Sequence, residues 1–239
     1  STPDHWHALH TILACAAGKD VYVEKPMTLF AKEGRWMIDA AKQYKRVIQC
    51  GTQQRSGEQY KQAVELIRGG HIGEVRNIRV ASFRNISPGF YNPVGAQKLS
   101  EQDWQMWQGP APARPWDEHR CIYHFRWFWD YAGGMMTDWG VHLIDIVQWA
   151  MNVEAPLSVS AVGGKFNLND NRETPDTIQA IYQYPDFAMS YENRVCTAQQ
   201  MNGKGYGIEF YGTEATLFVD RSGFEMRPES RRTGDLIKP

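Results

Sequence analysis

Apolar positions in the first fifty residues switch between two periods. Residues 4–17 carry apolar side chains at helical spacing, with Asp4 placed as an N-cap and Gly18 placed to stop the helix. Residues 20–24 (DVYVE) form a short, mostly apolar run of strand type. Residues 31–44 return to helical spacing, with Trp36, Ile38, Ala40 and Ala41 among the apolar positions, and residues 46–50 (RVIQC) make a second short strand before Gly51. Helix, strand, helix, strand with short connections is the repeating unit of a parallel α/β sheet.

The pattern predicts the second half of a dinucleotide-binding Rossmann domain over residues 1–54. After that the grammar changes. Residues 60–68 read as a helix ended by Gly69-Gly70, and residues 75–83 alternate like a half-buried strand. A long irregular stretch, 85–130, holds Trp104, Trp107, Trp116, Trp127 and Trp129 with Pro110, Pro112 and Pro115 among them; loops of that length in a compact chain are usually functional. A helix over 138–151 follows. Beyond Pro156, strands are predicted at 157–166, 176–184, 187–195, 206–211 and 214–219, joined by Gly, Asn-Asp or Pro-Asp turns. Residues 55–239 therefore read as an α+β domain with a mainly antiparallel sheet, so the fold class is α/β plus α+β.

Composition changes this picture little. The chain has 239 residues, 42% hydrophobic and 22% charged, as ordinary globular proteins do. A formal net charge of −1 gives no reason to expect nucleic acid or an anionic membrane as partner. Cys15, Cys50, Cys121 and Cys196 are far apart and form no CxxC pair, which excludes the usual zinc and disulfide-scaffold patterns. No apolar run approaches the roughly 20 residues of a membrane span. The chain opens on Ser1-Thr2-Pro3, which reads as a strand-to-helix turn, and closes on Leu236-Ile237-Lys238-Pro239. The expectation is a piece of a longer protein, cut inside a domain at its start and short of its end.

Three segments carry candidate chemistry. Thr2-Pro3-Asp4-His5-Trp6-His7 lies where a strand would pass into a helix, the edge at which doubly wound sheets bind ligands; its bland alternative is a helix cap followed by surface histidines. Glu24-Lys25-Pro26 ends the next strand on the same edge. A lysine there can donate to a substrate hydroxyl and favour the alkoxide that forms as hydride leaves; the alternative is a polar strand end before a turn proline, itself a candidate for a cis bond. The third is GGMMTDWGVHLID, residues 133–145, in which Asp138, His142 and Asp145 fall at i, i+4 and i+7 on one helical face. A histidine near neutrality beside a carboxylate is a credible general base, against the alternative of a solvated Asp–His pair. His5, His7 and His10 invite a metal reading, but their spacing is poor for ligands on a helix, and no metal site is expected. Tyr123, His124, Arg126, Trp127 and Trp129 form either a sugar-stacking platform or a lid packed by its own aromatics.

Taken in order, TPDHWH, AGKDVYVEKP and GGMMTDWGVHLID resemble the glucose–fructose oxidoreductase and inositol dehydrogenase family, Gfo/Idh/MocA. The resemblance runs to about Asp220, through GIEFYGTEATLFVD. It implies a Rossmann domain, then an α+β domain whose open sheet forms homo-oligomer contacts. It implies NAD or NADP as cofactor and a small-molecule carbohydrate as substrate. Lys25 matches the family's catalytic lysine, Asp138 its substrate-binding and orienting carboxylate, and His142 its acid/base. Thr2, Pro3, His7, Glu24 and Lys25 match positions around the nicotinamide half of the cofactor, with Gln53 where the family often has Asn. Tyr123, Arg126, Trp127 and Asp138 match the substrate side, although Arg126-Trp127 reverses the family's Trp-Arg order. WQGPAP and FRWFWDYAGG resemble bacterial members that often carry export signals, which leaves cytoplasm and periplasm both open.

One departure matters. The family's Gly-rich turn for the pyrophosphate, and its ribose-reading residue, lie upstream of EKP and are not in this sequence. The polypeptide as it stands is expected to bind NAD(P) poorly. For the parent protein the reading is reversible oxidation of a secondary hydroxyl on a sugar, polyol or sugar derivative. The rivals are an NAD-dependent glycosidase working through a transient 3-keto sugar, and a catalytically silent sugar-binding homologue.

Overall fold

The computed structural model describes residues 2–90, 97–200 and 203–229. Ser1 and the C-terminal Leu236-Ile237-Lys238-Pro239 lie outside the described residues. The first part is α1 (Asp4–Ala16), β1 (Val21–Glu24), α2 (Ala31–Tyr44) and β2 (Ile48–Gly51). β1 and β2 pair in parallel, from Val21 opposite Ile48 to Glu24 opposite Gly51. Ala8, Met37 and Val23 close the small core between helices and sheet. Gly18 takes the left-handed conformation (φ +75°) after α1, and the N–H of Lys19 returns to the carbonyl of Ala14 at 2.9 Å. At the other end of α1 the cap differs from expectation. Pro3 is the N-cap, in extended conformation, and Asp4 is the first helical residue and buried. The Lys25–Pro26 peptide bond is cis.

The second part is a seven-stranded sheet. Its strands are β3 (Val75–Phe83), β4 (Ser158–Gly164), β5 (Thr177–Gln183), β6 (Ala188–Arg194), β7 (Tyr206–Gly212), β8 (Ala215–Asp220) and β9 (Gly223–Pro228). They lie in the order β4-β5-β6-β3-β7-β8-β9, with only β3 and β6 parallel. α3 (Glu58–Arg68) and α5 (Val141–Met151) cover one face. Period-two alternation puts Ile78, Val80, Met189, Tyr191, Ile208 and Phe210 on that face, where they pack with Tyr60, Val64, Leu143 and Ile146. The other face carries charge: Glu192 pairs with Arg79 and Arg194, and Glu209 with Arg227. Strand β9 lies beyond the strands that the pattern predicts.

The aromatic stretch is more regular than expected. It contains α4 (Glu101–Gln108), capped by Ser100, whose hydroxyl oxygen accepts from the N–H of Asp103 at 3.1 Å. Trp104, Cys121, Trp127, Phe128, Tyr131 and Met135 make it a second core with Leu168 and Val195. The expected single helix 138–151 is also interrupted. Residues Met136–Gly140 form a π-helical turn, and the α-helix starts at Val141. None of the helices among the described residues is long and apolar enough to cross a membrane.

Candidate active site

Lys25 follows the last residue of β1, so the parallel sheet delivers it at the edge where strands end. Its Nζ crosses to the second domain and donates to the Asp138 main-chain carbonyl at 2.7 Å and to Asp138 Oδ1 at 3.0 Å. Two of the ammonium's three hydrogens are thereby used. Asp138 sits inside the π-helical turn, a backbone form that recurs at functional sites. Its Oδ2 lies 3.7 Å from Arg126 Nε. Burial would push the Asp138 carboxyl up, but Arg126 and Lys25 together hold it below the usual carboxylate range. His7 braces the same corner: its Nδ1 lies 2.7 Å from the carbonyl of Pro26 and its Nε2 lies 2.9 Å from the carbonyl of Thr2.

His142 stands one turn into the helical face that follows Asp138, with its ring edge-on to Trp139 at 6.2 Å. Its titration departs from the neutral value expected of it. Burial first, then the charges of Lys25 and Arg221, lower its pKa to about 4. The imidazole is thus neutral throughout the physiological range. The third member of the expected triplet is engaged elsewhere, because Asp145 binds Arg55 in a two-pronged ion pair at 2.7 and 2.8 Å. Asp138 lies in the π-helical turn, whereas His142 and Asp145 lie in the α-helix that follows, so the three are not carried by one regular helix.

Asp4 is a member that spacing did not reveal. Burial raises its carboxyl to about 7; the charge of Asp138 adds to the rise, while Lys25 and Arg126 oppose it. Gln54 is another. Its Nε2 donates to the His142 carbonyl and its Oε1 accepts from Arg221 Nε, each at 3.0 Å, tying the end of β2 to α5 and to the end of β8. Its neighbour Gln53, the expected cofactor contact, is exposed at the start of a short 3₁₀ turn. On the substrate side, the Arg126 guanidinium lies 4.1 Å over the exposed Tyr123 ring. Trp127 is buried beneath the Arg172 guanidinium at 4.7 Å and edges a cavity of about 140 Å³ with Tyr123, His124, Phe90 and Arg84.

A lysine on the strand-end edge of a parallel sheet, bound across a domain boundary to an Asp one turn before a His, is a specific arrangement. Residues 57–199 match the C-terminal alpha/beta domain of the oxidoreductase family Gfo/Idh/MocA, and residues 1–52 match that family's NAD-binding Rossmann fold. The chain belongs to the Gfo/Idh/MocA oxidoreductase family. The scyllo-inositol 2-dehydrogenase (NAD(+)) of Bacillus subtilis (strain 168) is 27% identical over 91% of this chain and 53% of its own length. The trans-1,2-dihydrobenzene-1,2-diol dehydrogenase of Oryctolagus cuniculus is 22% identical over 95% of this chain and 60% of its own. This chain therefore spans a little over half the length of these curated relatives. Among solved structures, the WlbA dehydrogenase from Bordetella pertussis, in complex with NADH and UDP-GlcNAcA, superposes with a TM-score of 0.71. It is 19% identical and covers 98% of this chain and 59% of its own. Levoglucosan dehydrogenase in complex with NADH and levoglucosan gives 0.71 at 21% identity, covering 98% and 57%. At those identities the likeness establishes the fold: part of a Rossmann domain followed by the large, mainly antiparallel sheet.

The residues present in this Gfo/Idh/MocA chain fit one end of a dinucleotide. Thr2, His7, Glu24 and Lys25 are polar groups at the C-terminal edge of parallel strands, where such ligands bind. Gly51, opposite Glu24, leaves room for the carboxylate to lie across the strand ends; a Cβ there would stand 2.9 Å from Glu24 Oε2. The phosphate-cradling Gly-rich turn is not part of this sequence.

Proposed function

We propose that the protein to which this chain belongs oxidises a secondary hydroxyl of a sugar, polyol or sugar derivative, using NAD(P). The observation that carries the reading is the Lys25–Asp138 contact across the domain boundary, with a neutral His142 on the next turn. The nicotinamide, when bound, would supply the hydride acceptor for the substrate carbon. Lys25 donates its remaining N–H to the substrate oxygen and stabilises the negative charge that grows there. Asp138 holds the ammonium in place and, through Arg126, ties it to the aromatic stretch. As the C–H bond breaks with its electron pair, the O–H proton passes to a ring nitrogen of His142 and the C=O double bond closes. A pKa near 4 makes His142 a weak base but guarantees an unprotonated acceptor at neutral pH. Thr2, Pro3, His7 and Glu24 would hold the nicotinamide end, and Tyr123, Arg126 and Trp127 would line the substrate side.

The test is Lys25→Ala in the whole protein, with turnover followed as NADH formation. A fall of roughly 100-fold or more with the fold retained is the expected outcome, in line with general acid–base contributions. Unchanged turnover would remove Lys25 from the mechanism. Glycoside cleavage without accumulation of NADH would replace net oxidation by redox-assisted elimination.

A further inference from the structure

Four cations gather around Trp139 and Asp138, and we infer from this geometry that the substrate is an anion, carrying a carboxylate or a phosphate ester on its sugar or polyol frame. The inference rests on the reading of Lys25, Asp138 and His142 as the reacting centre, and adds to it the charge of what is bound there.

The count of charges supports it. Among the described residues Asp138 is the carboxylate in ion-pair contact with these cations, and it is shared: Oδ1 takes Lys25 at 3.0 Å and Oδ2 lies 3.7 Å from Arg126 Nε. Asp4, the other acid on which Lys25 and Arg126 act, is raised to about 7 by burial and leaves the positive charge in excess. Two further guanidinium groups, of Arg84 and Arg221, lie over the indole of Trp139 at 4.9 and 4.8 Å. That indole meets the His142 ring, so both cations stand one side chain from the proposed proton acceptor. Among the described residues neither Arg84 nor Arg221 has an ion-pair partner. Arg221 Nε is held by the neutral Gln54 amide. Asp220, its neighbour in sequence, is committed elsewhere: Oδ1 accepts from the N–H of Ser222 at 2.7 Å and Oδ2 lies 3.9 Å from Lys204. Both Arg84 and Lys25 act on the charge of Asp138, and both Arg221 and Lys25 act on that of His142, which places all these cations in one electrostatic neighbourhood.

A neutral polyol needs hydrogen-bond partners but not a surplus of positive charge. A guanidinium placed over an aromatic face can still offer N–H groups to a planar oxyanion, which arginine binds as carboxylate or phosphate with two parallel bonds. An excess of one sign in a site also draws in ligands of the other and raises their encounter rate.

The experiment is direct binding by calorimetry to the whole protein with its cofactor at low salt. The probes are matched sets: glucose with glucuronate and glucose 6-phosphate, and galactose with galacturonate and galactose 6-phosphate. At least one charged sugar is expected to bind on the order of tenfold tighter than its neutral counterpart, with the margin shrinking as salt rises. Preference for the uronates assigns a carboxylate; preference for the 6-phosphates assigns a phosphate ester. Arg84→Gln and Arg221→Gln should each remove much of the margin, while Arg84→Lys, which keeps the charge, retains part of it and controls for folding. Equal, weaker or absent binding of every charged sugar overturns the inference, as does a margin that survives both glutamine substitutions. Turnover recorded alongside separates the two readings. Neutral sugars oxidised as well as their acids, in a Lys25-dependent way, leave the oxidoreductase and remove the anion. Charged sugars bound without oxidation do the reverse.

Discussion

Asp4 is a carboxyl whose position in the chain suggests a cap and whose environment makes it a different group. An aspartate in the unfolded chain titrates near 3.9, whereas burial and Asp138 carry the folded one to about 7. Between those values the folded state binds the extra proton, so stability falls as pH rises from about 4 to about 7 and stays reduced above that. Asp4→Asn removes the ionisation and is expected to stabilise the protein at pH 8, by up to about 4 kcal/mol, with little change at pH 4. A melting temperature lowered by the substitution at pH 8 would refute this. His142 works in the other direction. Its folded pKa, about 4, lies below the 6.5 of a free imidazole, so the unfolded state binds more protons between those values. Its contribution to stability is present above about 6.5 and is lost as pH falls towards 4.

Among the elements, the connection between β4 and β5 depends on two buried acids. Asp176 Oδ2 accepts the N–H groups of Phe166, Asn167 and Leu168 at 2.9–3.0 Å, closing the turn after β4. Asp170 and Arg172 form a fully buried pair at 2.7 Å, with the guanidinium over Trp127 at 4.7 Å and Phe90 at 5.2 Å. The pair thus seats the aromatic stretch on the sheet connection. Removing one partner of a buried pair strands the other charge, so Arg172→Met should cost about 3–5 kcal/mol in urea unfolding. Asp170→Asn combined with Arg172→Met should recover part of the loss, because no lone ion remains. A single substitution costing under about 1 kcal/mol would show that the pair is not buried as described. The elements themselves were unequally legible. α2 matches its predicted bounds because its apolar positions keep one helical period. α4 escaped notice inside the aromatic stretch, although Ser100 three residues before Asp103 is a helix-start signal.

For the molecule as a whole, the site exists only while the two domains are held together. Trp6 Nε1 donates to the carbonyl of Trp107 at 2.9 Å, and His5 Nε2 lies 3.2 Å from the same oxygen. The Trp6 indole covers Gly109, which adopts φ +50°; a Cβ there would fall 1.9 Å from the ring. Gly109→Ala therefore cannot be accommodated without moving α1 against α4. It should cost about 1–3 kcal/mol, and should also reduce turnover, because α1 and β1 carry the residues that face Asp138. The unfolding midpoint and the turnover of the variant check both parts; parental values for both would show that Gly109 does not hold the domains.

The local pattern of the chain determined the repeated α/β units and most strands of the second sheet, since periodicity is a property of neighbouring residues, and its ordered motifs singled out Lys25, Asp138 and His142 as candidates. Tertiary structure decided the rest. Asp138 falls in a π-helical turn and meets Lys25, while Asp145 pairs with Arg55, a division that side-chain spacing does not encode. Burial and neighbouring charge set the titration of Asp4 and His142. Arg84 and Arg221 join the site from the ends of two strands of the large sheet and Gln54 from beyond the end of β2, and only tertiary packing brings their charges and hydrogen bonds to one place.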